Sequence, residues 1–541
     1  MEQQTKTATA TVTATETVTI GKAEYEALLA SRENLQSQVD WLTEQMRLLQ
    51  KKQFGSSSEK RMDLNFPEQL SIFNEAEFTD DTAAALDGAA NAAADDAADK
   101  TTVKAHTRRK SGSVEDVVPE GTPVEIIEHR LSEEERICKE CGSIMDELSH
   151  EVRRTLVIIP AKTKVREEHF YTYACRKCEK ENDHTPMQQA RVPAVIPGSF
   201  ASPEAIAHIM TQKFVMHSPL YRQAQELQRS GIKLTRQTMS NWFLHAAEDW
   251  LTPIYEELHK RLVKSEVLHA DETTLQVLKE PGKPAQSKSY MWLYRTSGDT
   301  DKPIVLYEYT PNRKPANAEE FLKGFCGYLH ADGYQGYHHL PSDIVVVGCL
   351  AHARRKLTEA LDAIPKEQRE SCEAGIGLAY MQRLYAIEES IQEKTPEERY
   401  KQRQEQSKPV FEALLTWAKT VKVPPKSHLG KAVYYLIEQE PWLRRYLEDG
   451  RLEIDNNRAE RSIKPFVMSR KNFLFANTPS GARSSAVVFS LIQTAIENGL
   501  DPYRYLTYVF TNAPILFEET TDWVTPLLPE NAPEECRAKG E

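Results

Sequence analysis

Residues 266–277 read EVLHADETTLQV and residues 327–337 read GYLHADGYQGY, so the two segments share the tripeptide His-Ala-Asp. Apolar and aromatic residues precede each acid, which is typical of a strand that ends near the carboxylate. Asp271 and Glu272 are neighbours on the first strand and face opposite sides of the sheet, because side chains alternate along a strand. Because both acids end the same tripeptide, Asp271 and Asp332 are predicted to have the same position in the alternation of their strands. Asp271, rather than Glu272, is therefore predicted to join Asp332 in a common site.

A third acid, Glu460, lies in EIDNNRAERSIKP (residues 453–465), a polar stretch with the composition of a helix. Three carboxylates brought together repel one another unless a cation lies between them. Mg²⁺ or Mn²⁺ suits such oxygen ligands, and two ions about 3.5–4 Å apart assist phosphoryl transfer. The sequence therefore predicts an enzyme that cuts and joins DNA, with Asp271, Asp332 and Glu460 as its catalytic residues and as ligands of two Mg²⁺ (or Mn²⁺) ions.

Ordinary structural roles remain open for the same acids. Asp271 fits a turn at a strand end, and Asp332 fits the start of an Asp-Gly turn. Asn457 and Glu460 have the spacing of a helix capping box, in which the Glu side chain returns to the backbone N–H of the cap.

The acids lie in a region with alternating strand and helix patterns, and residues 263–510 are predicted to form one catalytic domain. Three hairpin-joined strands followed by strand–helix units indicate a mixed sheet of ribonuclease-H type. A charged helical stretch at about residues 362–450 is predicted as an insertion, and residues 511–541 as a C-terminal tail. The predicted fold class is multidomain α+β with a ribonuclease-H-like mixed α/β catalytic core.

Two Cys-x-x-Cys pairs, Cys138 with Cys141 and Cys175 with Cys178, lie within residues 114–197. Four thiolates complete a tetrahedral Zn²⁺ site and leave no open position for catalysis. This segment is therefore predicted to be a zinc-binding domain with one structural Zn²⁺. Disulfides are the alternative, and they are uncommon in cytosolic chains.

Residues 198–262 have the pattern of several helices, with Gly231 as a stop and Thr235 as the cap of the next helix. This outline is typical of a helix-turn-helix, whose second helix enters the major groove. Arg236 and Gln237 at the start of that helix are predicted DNA contacts. Helix pairs of this kind also occur in proteins that do not bind DNA.

The N-terminal part contains a leucine heptad, with Leu28, Leu35, Leu42 and Leu49 at one position. It predicts a short coiled coil and a homo-oligomer, although a helix packed on its own chain has the same pattern. The predicted segments are a disordered Thr-rich start, a coiled-coil helix and an acidic then basic linker, at residues 1–20, 21–60 and 61–113.

The net charge of −12 over 541 residues does not exclude DNA, because ten acidic residues and no basic one lie between positions 62 and 99. Basic clusters elsewhere supply local positive surface for phosphates, although each is also compatible with a solvated face. No apolar run approaches the ~18 residues of a membrane helix, and the start lacks the apolar core of a signal peptide. A cytoplasmic protein without a membrane partner is expected.

These features together resemble the transposases of bacterial insertion sequences of the insertion sequence 66 type. The resemblance rests on the leucine heptad followed by QFGSSSEK, the two Cys-x-x-Cys pairs, HADET, LHADGYQGY, GCLAHARRK, IDNNRAERSIKPFVMSRKNFLF and DWVTPLLP. It covers nearly everything after residue 20, while the Thr-rich start and the long acidic linker have no match.

The resemblance implies that Asp271, Asp332 and Glu460 are the Asp-Asp-Glu catalytic positions of a ribonuclease-H-like core with a helical insertion. It also implies that the cysteine domain and the helix-turn-helix bind the ends of the element. Small accessory proteins encoded by the same element are implied as further partners.

Further residues near the acids are candidates for DNA contact. His352, which follows Cys349 as Cys-x-x-His, is a possible neighbour of the scissile phosphate or a packed histidine. Basic side chains suited to phosphate oxygens near the metals are Arg354, Arg355, Arg458, Arg461 and Lys464.

The sequence thus favours a transposase that binds element ends, cleaves a DNA strand and transfers the 3′-hydroxyl to target DNA. Two alternatives remain: a domesticated DNA-binding protein without enzymatic activity, and a ribonuclease-H-like nuclease that does not transfer strands.

Overall fold

The computed structural model describes residues 25–29, 31–32, 35, 39, 46, 163–170, 172–174, 187–189, 192–365, 368–369 and 372–538. The four cysteines predicted to bind zinc and most of the predicted coiled coil lie outside these residues.

The described chain contains two β-sheets. Strands β1 (Thr172–Ala174) and β2 (Met187–Gln189) form a small antiparallel pair. The larger sheet consists of β3 (Val267–Gln276), β4 (Lys288–Thr296), β5 (Val305–Thr310), β6 (Gly327–His330) and β7 (Ile344–Val347). Its order is β5-β4-β3-β6-β7. Strands β3, β4 and β5 are antiparallel, whereas β6 and β7 run parallel to β3.

Helices precede, separate and follow these strands along the chain. Those before and between the strands are α1 (Pro203–Phe214), α2 (Leu220–Arg229), α3 (Arg236–Ala246), α4 (Thr252–Leu262) and α5 (Pro315–Phe321). After β7 come α6 (Leu350–Asp362), α7 (Glu373–Ile391), α8 (Pro396–Gln402), α9 (Lys408–Thr420), α10 (His428–Glu438) and α11 (Glu440–Leu443). The last three are α12 (Asn457–Phe473), α13 (Pro479–Glu497) and α14 (Pro502–Glu519).

The predicted helix pair is formed by α2 and α3. Gly231 follows α2 with φ of +82°, a left-handed conformation that glycine adopts without strain. The Thr235 side chain then accepts a hydrogen bond from the backbone N–H of Thr238 and caps α3. Local sequence signals therefore fix both ends of the turn.

The free edge of β5 is covered by α13. The Thr494 hydroxyl accepts from the Val305 N–H at 3.0 Å, and the Ser490 hydroxyl accepts from the Tyr307 N–H at 2.7 Å. These hydroxyls occupy backbone donors that an edge strand would otherwise expose to another chain. Strand pairing therefore stops at β5.

One hydrophobic cluster runs through most of the described chain, from Val195 before α1 to Cys536. The helices of residues 198–262 thus share a core with the sheet. Helix α14 continues past Phe510, where the sequence placed the start of a tail, because its apolar face continues through the buried Ala513 and Pro514. The residues that follow also pack inward, with Leu527 fully buried.

The predicted helical insertion is present between β7 and α12. Its helices pack around a second hydrophobic cluster that includes Leu357 of α6 and Leu414 of α9. The described chain is therefore a mixed α/β protein with a five-stranded mixed sheet and a helical insertion. Within the described residues, no helix is long and apolar enough to cross a membrane.

Candidate active site

Two of the predicted acids lie on or just after adjacent parallel strands: Asp271 is inside β3, which continues to Gln276, and Asp332 follows β6, which ends at His330. The prediction that the first strand ends near Asp271 was therefore wrong, because β3 stays paired with β4 up to Gln276. His269 of β3 is the register partner of His330 of β6, and their rings stack at 4.4 Å. Asp271 and Asp332 each lie two residues beyond this pair. The His-Ala-Asp tripeptides of the two runs therefore begin at register partners on neighbouring strands.

The third acid, Glu460, lies in the first turn of α12, which packs against β3. Burial raises the pKa of Asp271 well above its usual range, and the negative charges of Glu272, Asp332 and Glu460 raise it further. The fold thus brings the three predicted carboxylates within electrostatic range of one another. The proposed capping box is absent, because α12 begins after Asn456 and no side chain caps it.

Glu272 also lies near the acids but has partners of its own. Its carboxylate accepts a hydrogen bond from the Tyr337 hydroxyl at 2.5 Å and from Nε of Arg313 at 2.8 Å, and its side chain is only 1% exposed. Burial and the charge of Asp332 raise its pKa, while Tyr337 and Arg313 lower it. The charge of Glu272 is therefore balanced by Arg313, and its side chain lies on the opposite face of β3 from those of His269 and Asp271.

Asp271 and Asp332 also make local backbone contacts. Oδ1 of Asp271 accepts from the N–H of Glu272, and Oδ1 of Asp332 accepts from the N–H of Tyr334, both at 2.9 Å. The bond at Asp332 matches the turn role that its sequence left open. Each carboxylate keeps a second oxygen, so the turn does not exclude metal binding.

Glu460 faces two cationic or potentially cationic side chains of α6. Its Oε2 accepts from Arg355 at 3.2 Å, while its Oε1 lies 3.7 Å from Nε2 of His352 and is buried without a hydrogen-bond partner. Burial lowers the pKa of His352, although the negative charge of Glu460 opposes this. His352 therefore lies beside the acids, where its position in the sequence predicted it.

The backbone around the site is held by Asn456, which sequence reasoning missed. Its Nδ2 donates to the Ala270 carbonyl at 2.8 Å, and its Oδ1 lies 2.9 Å from Nδ1 of His269. Its own N–H donates to Sγ of Cys349 at 3.2 Å. Asn456 is 1% exposed and links β3, the start of α6 and the start of α12. The three elements whose positions determine the site are thus joined at one side chain.

A further ionic group joins the buried His269 to the partly buried Glu453 and Arg458. Nε2 of His269 is 3.7 Å from Oε1 of Glu453, which also accepts from Nε of Arg458 at 2.7 Å. Burial lowers the pKa of His269 to about 4, whereas His269 and Arg458 outweigh burial and lower that of Glu453 to about 2. The imidazole is therefore neutral and the carboxylate charged near pH 7.

The predicted DNA contacts lie in different environments. Arg236 and Gln237 are exposed at the start of α3, and Arg461 and Lys464 are exposed on α12. Gln237 donates to Asn241 on its own helix. The remaining three contact other elements, with Arg354 over the ring of Tyr385, Arg355 on Glu460 and Arg458 on Glu453. Arg458 is thus occupied by a protein carboxylate, because the loop before α12 folds back onto it.

The crowding of the acids predicts that Asp271→Asn stabilises the metal-free protein. A carboxyl whose folded pKa is raised favours folding at low pH, and this advantage is lost as the pH rises from about 3.9 through the folded value. At pH 7 we therefore expect the variant to denature at a higher temperature than the parent. Thermal denaturation without added Mg²⁺ or Mn²⁺ from pH 5 to 8 measures this, and an unchanged midpoint throughout would contradict it.

Four family models match the chain. Residues 198–484 match the model described as "Transposase IS66 family", and residues 490–529 match the "IS66 C-terminal element". Residues 135–179 match the "zinc-finger binding domain of transposase IS66", and residues 41–127 match "Transposase C of IS166 homeodomain". The matches thus extend over the predicted zinc domain, the described core and the C-terminal region.

Three similar proteins come from Sinorhizobium fredii (strain NBRC 101917 / NGR234), and each carries the name of an uncharacterized protein. The protein y4jD is 32% identical over 74% of this chain and 79% of its own length. The protein y4qI is 29% identical over 90% of this chain and 88% of its own length. No solved structure matches. Because the first model alone spans more than half of the sequence, the chain belongs to the IS66 transposase family.

Proposed function

We propose that this protein is a Mg²⁺-dependent Asp-Asp-Glu transposase that cleaves a DNA strand at the ends of an insertion sequence and transfers the 3′-hydroxyl to target DNA. The observation that carries the proposal is the convergence of Asp271, Asp332 and Glu460 from two neighbouring strands and one helix. The mutual effect of their charges on the pKa of Asp271 supports it. Membership of a transposase family supports the same reaction class.

The residues fit a pair of hard divalent cations. All three donors are carboxylates, their mutual repulsion is unfavourable without a cation, and Oε1 of Glu460 is buried without a hydrogen-bond partner. Mg²⁺ held by these oxygens would supply the charge that activates an attacking hydroxyl and stabilises the leaving oxygen. Asp271 and Asp332 would hold their positions through the paired strands, and Glu460 through the contact of α12 with β3.

The sheet supports a ribonuclease-H-like core. Three antiparallel strands followed by two strands parallel to β3 match the arrangement expected from the sequence. In this arrangement Asp271 within β3 and Asp332 just after β6 follow a pair of register partners, His269 and His330. We therefore retain the ribonuclease-H-like class as part of the proposal.

DNA binding is proposed to involve several surfaces. Arg236 and Gln237 at the exposed start of α3 would contact the element's ends, and Arg461 and Lys464 would bind phosphates near the acids. Arg355 would keep its bond to Glu460 and orient that carboxylate. Exposed basic side chains on one helix attract phosphates through their charge without reading sequence.

Zinc binding by Cys138, Cys141, Cys175 and Cys178 is proposed for the zinc-finger segment. Purified protein is expected to contain one tightly bound Zn²⁺, and Cys141→Ser is expected to lose it, because three thiolates close the tetrahedron poorly. Elemental analysis of both proteins measures this. Equal zinc content in the two proteins would contradict the assignment of Cys141.

Self-association is proposed through residues 21–60. The described helical residues Tyr25, Leu28 and Leu35 are more than half exposed, as the seam of a coiled coil is before it meets a partner helix. The seam is short, so assembly would depend on concentration or on DNA. Accessory proteins of the same element are proposed as further partners.

The proposed function is tested with purified protein, Mg²⁺, a labelled DNA that carries the element's end and a supercoiled target plasmid. The expected products are a strand cut at the end and the end joined covalently to the plasmid. Cutting without joining would support a nuclease, and binding without cutting under any metal would support a DNA-binding protein. End DNA with a scrambled terminus is the control for specificity.

A further inference from the structure

Three side chains of different chemistry converge beside the acids. Sγ of Cys349, an imidazole nitrogen of His352 and a carboxylate oxygen of Glu460 all lie within 4.8 Å of one another. Cys349 precedes α6 as its cap residue and His352 lies one turn later, while Glu460 comes from the first turn of α12. The set therefore joins two helices at the place where they meet.

Two atoms of this group lack the partners that buried polar atoms normally have. Oε1 of Glu460 and Nδ1 of His352 are buried without a hydrogen bond. Oε1 lies 3.7 Å from Nε2 of His352, which is too long for a hydrogen bond. Around a tetrahedral zinc ion with bonds of about 2.0–2.2 Å, two ligand atoms lie about 3.4 Å apart. The observed separation is close to that spacing.

The sulfur is placed to act as a ligand. The N–H of Asn456 donates to Sγ of Cys349 at 3.2 Å, and the N–H of His352 also points to it. Backbone donors of this kind stabilise a thiolate. Burial raises the pKa of the Cys349 thiol, so a binding metal must displace the thiol proton to solvent.

A thiolate, an imidazole and a carboxylate favour zinc over magnesium, because magnesium prefers oxygen ligands and keeps much of its water. We propose that Cys349, His352 and Glu460 form a second Zn²⁺ site, separate from the four-cysteine site. One zinc ion would be held by three protein ligands with a fourth position open to water. Because Glu460 belongs to both sites, zinc bound here would withdraw it from the Mg²⁺ ions and inhibit strand cleavage. The inhibition rests on the proposed function, whereas the binding does not.

Binding is tested on the full chain, with its four-cysteine site already filled and without added Mg²⁺, because Mg²⁺ would compete for Glu460. Zn²⁺ is titrated against a coloured chelator, and Co²⁺ is then used as a spectroscopic probe, because cobalt bound to a thiolate gives a charge-transfer absorption. The variants are Cys349→Ser and His352→Ala. The matched control is Cys372→Ser, since Cys372 also caps a helix and accepts from a backbone N–H, that of Gly375, at 3.3 Å.

The parent and Cys372→Ser are expected to bind one more Zn²⁺ than Cys349→Ser, and His352→Ala is expected to weaken that binding at least tenfold. The cobalt–thiolate absorption should be lost in Cys349→Ser, and His352→Ala should need at least tenfold more cobalt than the parent to reach it. Equal zinc binding by the parent, Cys349→Ser and His352→Ala would overturn the site. His352→Ala keeps the test decisive if Cys349→Ser does not fold.

Cleavage assays separate the two parts of the inference. Micromolar Zn²⁺ is expected to inhibit Mg²⁺-supported cleavage by the parent and by Cys372→Ser, and at least tenfold more Zn²⁺ should be needed for His352→Ala. If the extra zinc binds but leaves cleavage by the parent unchanged, the shared role of Glu460 is wrong. If zinc binds through Cys349 and no metal supports cleavage, the zinc site stands and the proposed function fails.

Discussion

Alanine at Asp271, Asp332 or Glu460 is expected to lower DNA strand cleavage and strand transfer on the order of 10³-fold or more, because metal charge supplies several kcal/mol of barrier reduction. Binding of the element's ends should persist, since the exposed residues Arg236 and Gln237 lie on a different helix from the acids. Cleavage of labelled end DNA and a gel-shift assay on the same samples measure the two effects.

The structure decides which acids serve as controls for this experiment. Glu272 is buried against Arg313 and Tyr337, and Glu453 is bonded to Arg458, so replacing either would disturb folding. Glu359 is exposed on α6, the helix that carries His352, and Glu359→Ala should cleave at the parental rate. Near-parental strand transfer by Glu460→Ala would show that the third acid is misassigned.

The choice of metal provides a further check on the same residues. Mg²⁺ and Mn²⁺ should support cleavage, whereas Ca²⁺ should not, because its longer and looser coordination positions the reacting oxygens poorly. Asp271→Cys should recover activity with Mn²⁺ more than with Mg²⁺, since a thiolate is a poor ligand for the harder ion. Recovery that did not depend on the metal would argue against a direct contact between residue 271 and the ions.

Leucine at Arg403 is expected to destabilise the helical insertion by about 3–5 kcal/mol, the typical effect of removing one partner of a buried ion pair. Arg403 is 2% exposed and donates to Glu388 through Nε and Nη2, with Nη2 at 2.6 Å from Oε2. It also donates to the carbonyls of Tyr446, Asp449 and Leu452 at 2.7 to 3.0 Å. The variant leaves a buried carboxylate and three carbonyls without these bonds.

Loss of the hydrogen bonds of Arg403 should also affect the active site. The carbonyls that Arg403 holds belong to the segment just before α12, the helix of Glu460, so we expect faster hydrogen exchange over residues 446–456 and weaker cleavage. Lys401→Ala, an exposed change two residues away, is the control. Arg403→Leu combined with Glu388→Leu should recover part of the stability, because no carboxylate then remains buried alone. Equal denaturation midpoints for Arg403→Leu and the parent would contradict the role of this network.

Much of the architecture follows from local sequence. The His-Ala-Asp tripeptides that begin at His269 and His330 indicated two strands with the same alternation of side chains. In the sheet these two histidines are register partners. Helix signals at Gly231 and Thr235 lie where α2 ends and α3 begins. Such signals work because alternation, caps and left-handed turns depend on a few neighbouring residues.

The acids could be proposed from sequence because each lies in or beside a recognisable strand or helix, and their catalytic role stays a prediction. The side chains that surround these acids could not be predicted from the sequence. Asn456 bonds to Ala270 and lies against His269, more than 180 residues earlier in the chain, and Arg313 neutralises Glu272 from 41 residues away. No periodicity encodes which side chains meet across such separations, since that depends on how helices and strands pack.

The sequence by itself therefore determined the strands, the phase of Asp271 and Asp332, the helical insertion and the family to which the chain is similar. Only the tertiary structure decided that Arg458 bonds to Glu453, that Arg355 bonds to Glu460 and that Cys349 and His352 face Glu460. The physical reason is that charge pairing and metal-ligand geometry depend on the rotation of α6 and α12 about their axes. Packing of α12 against β3, and of α6 against α7 and α10, sets that rotation, and most of these contacts join residues far apart in the chain.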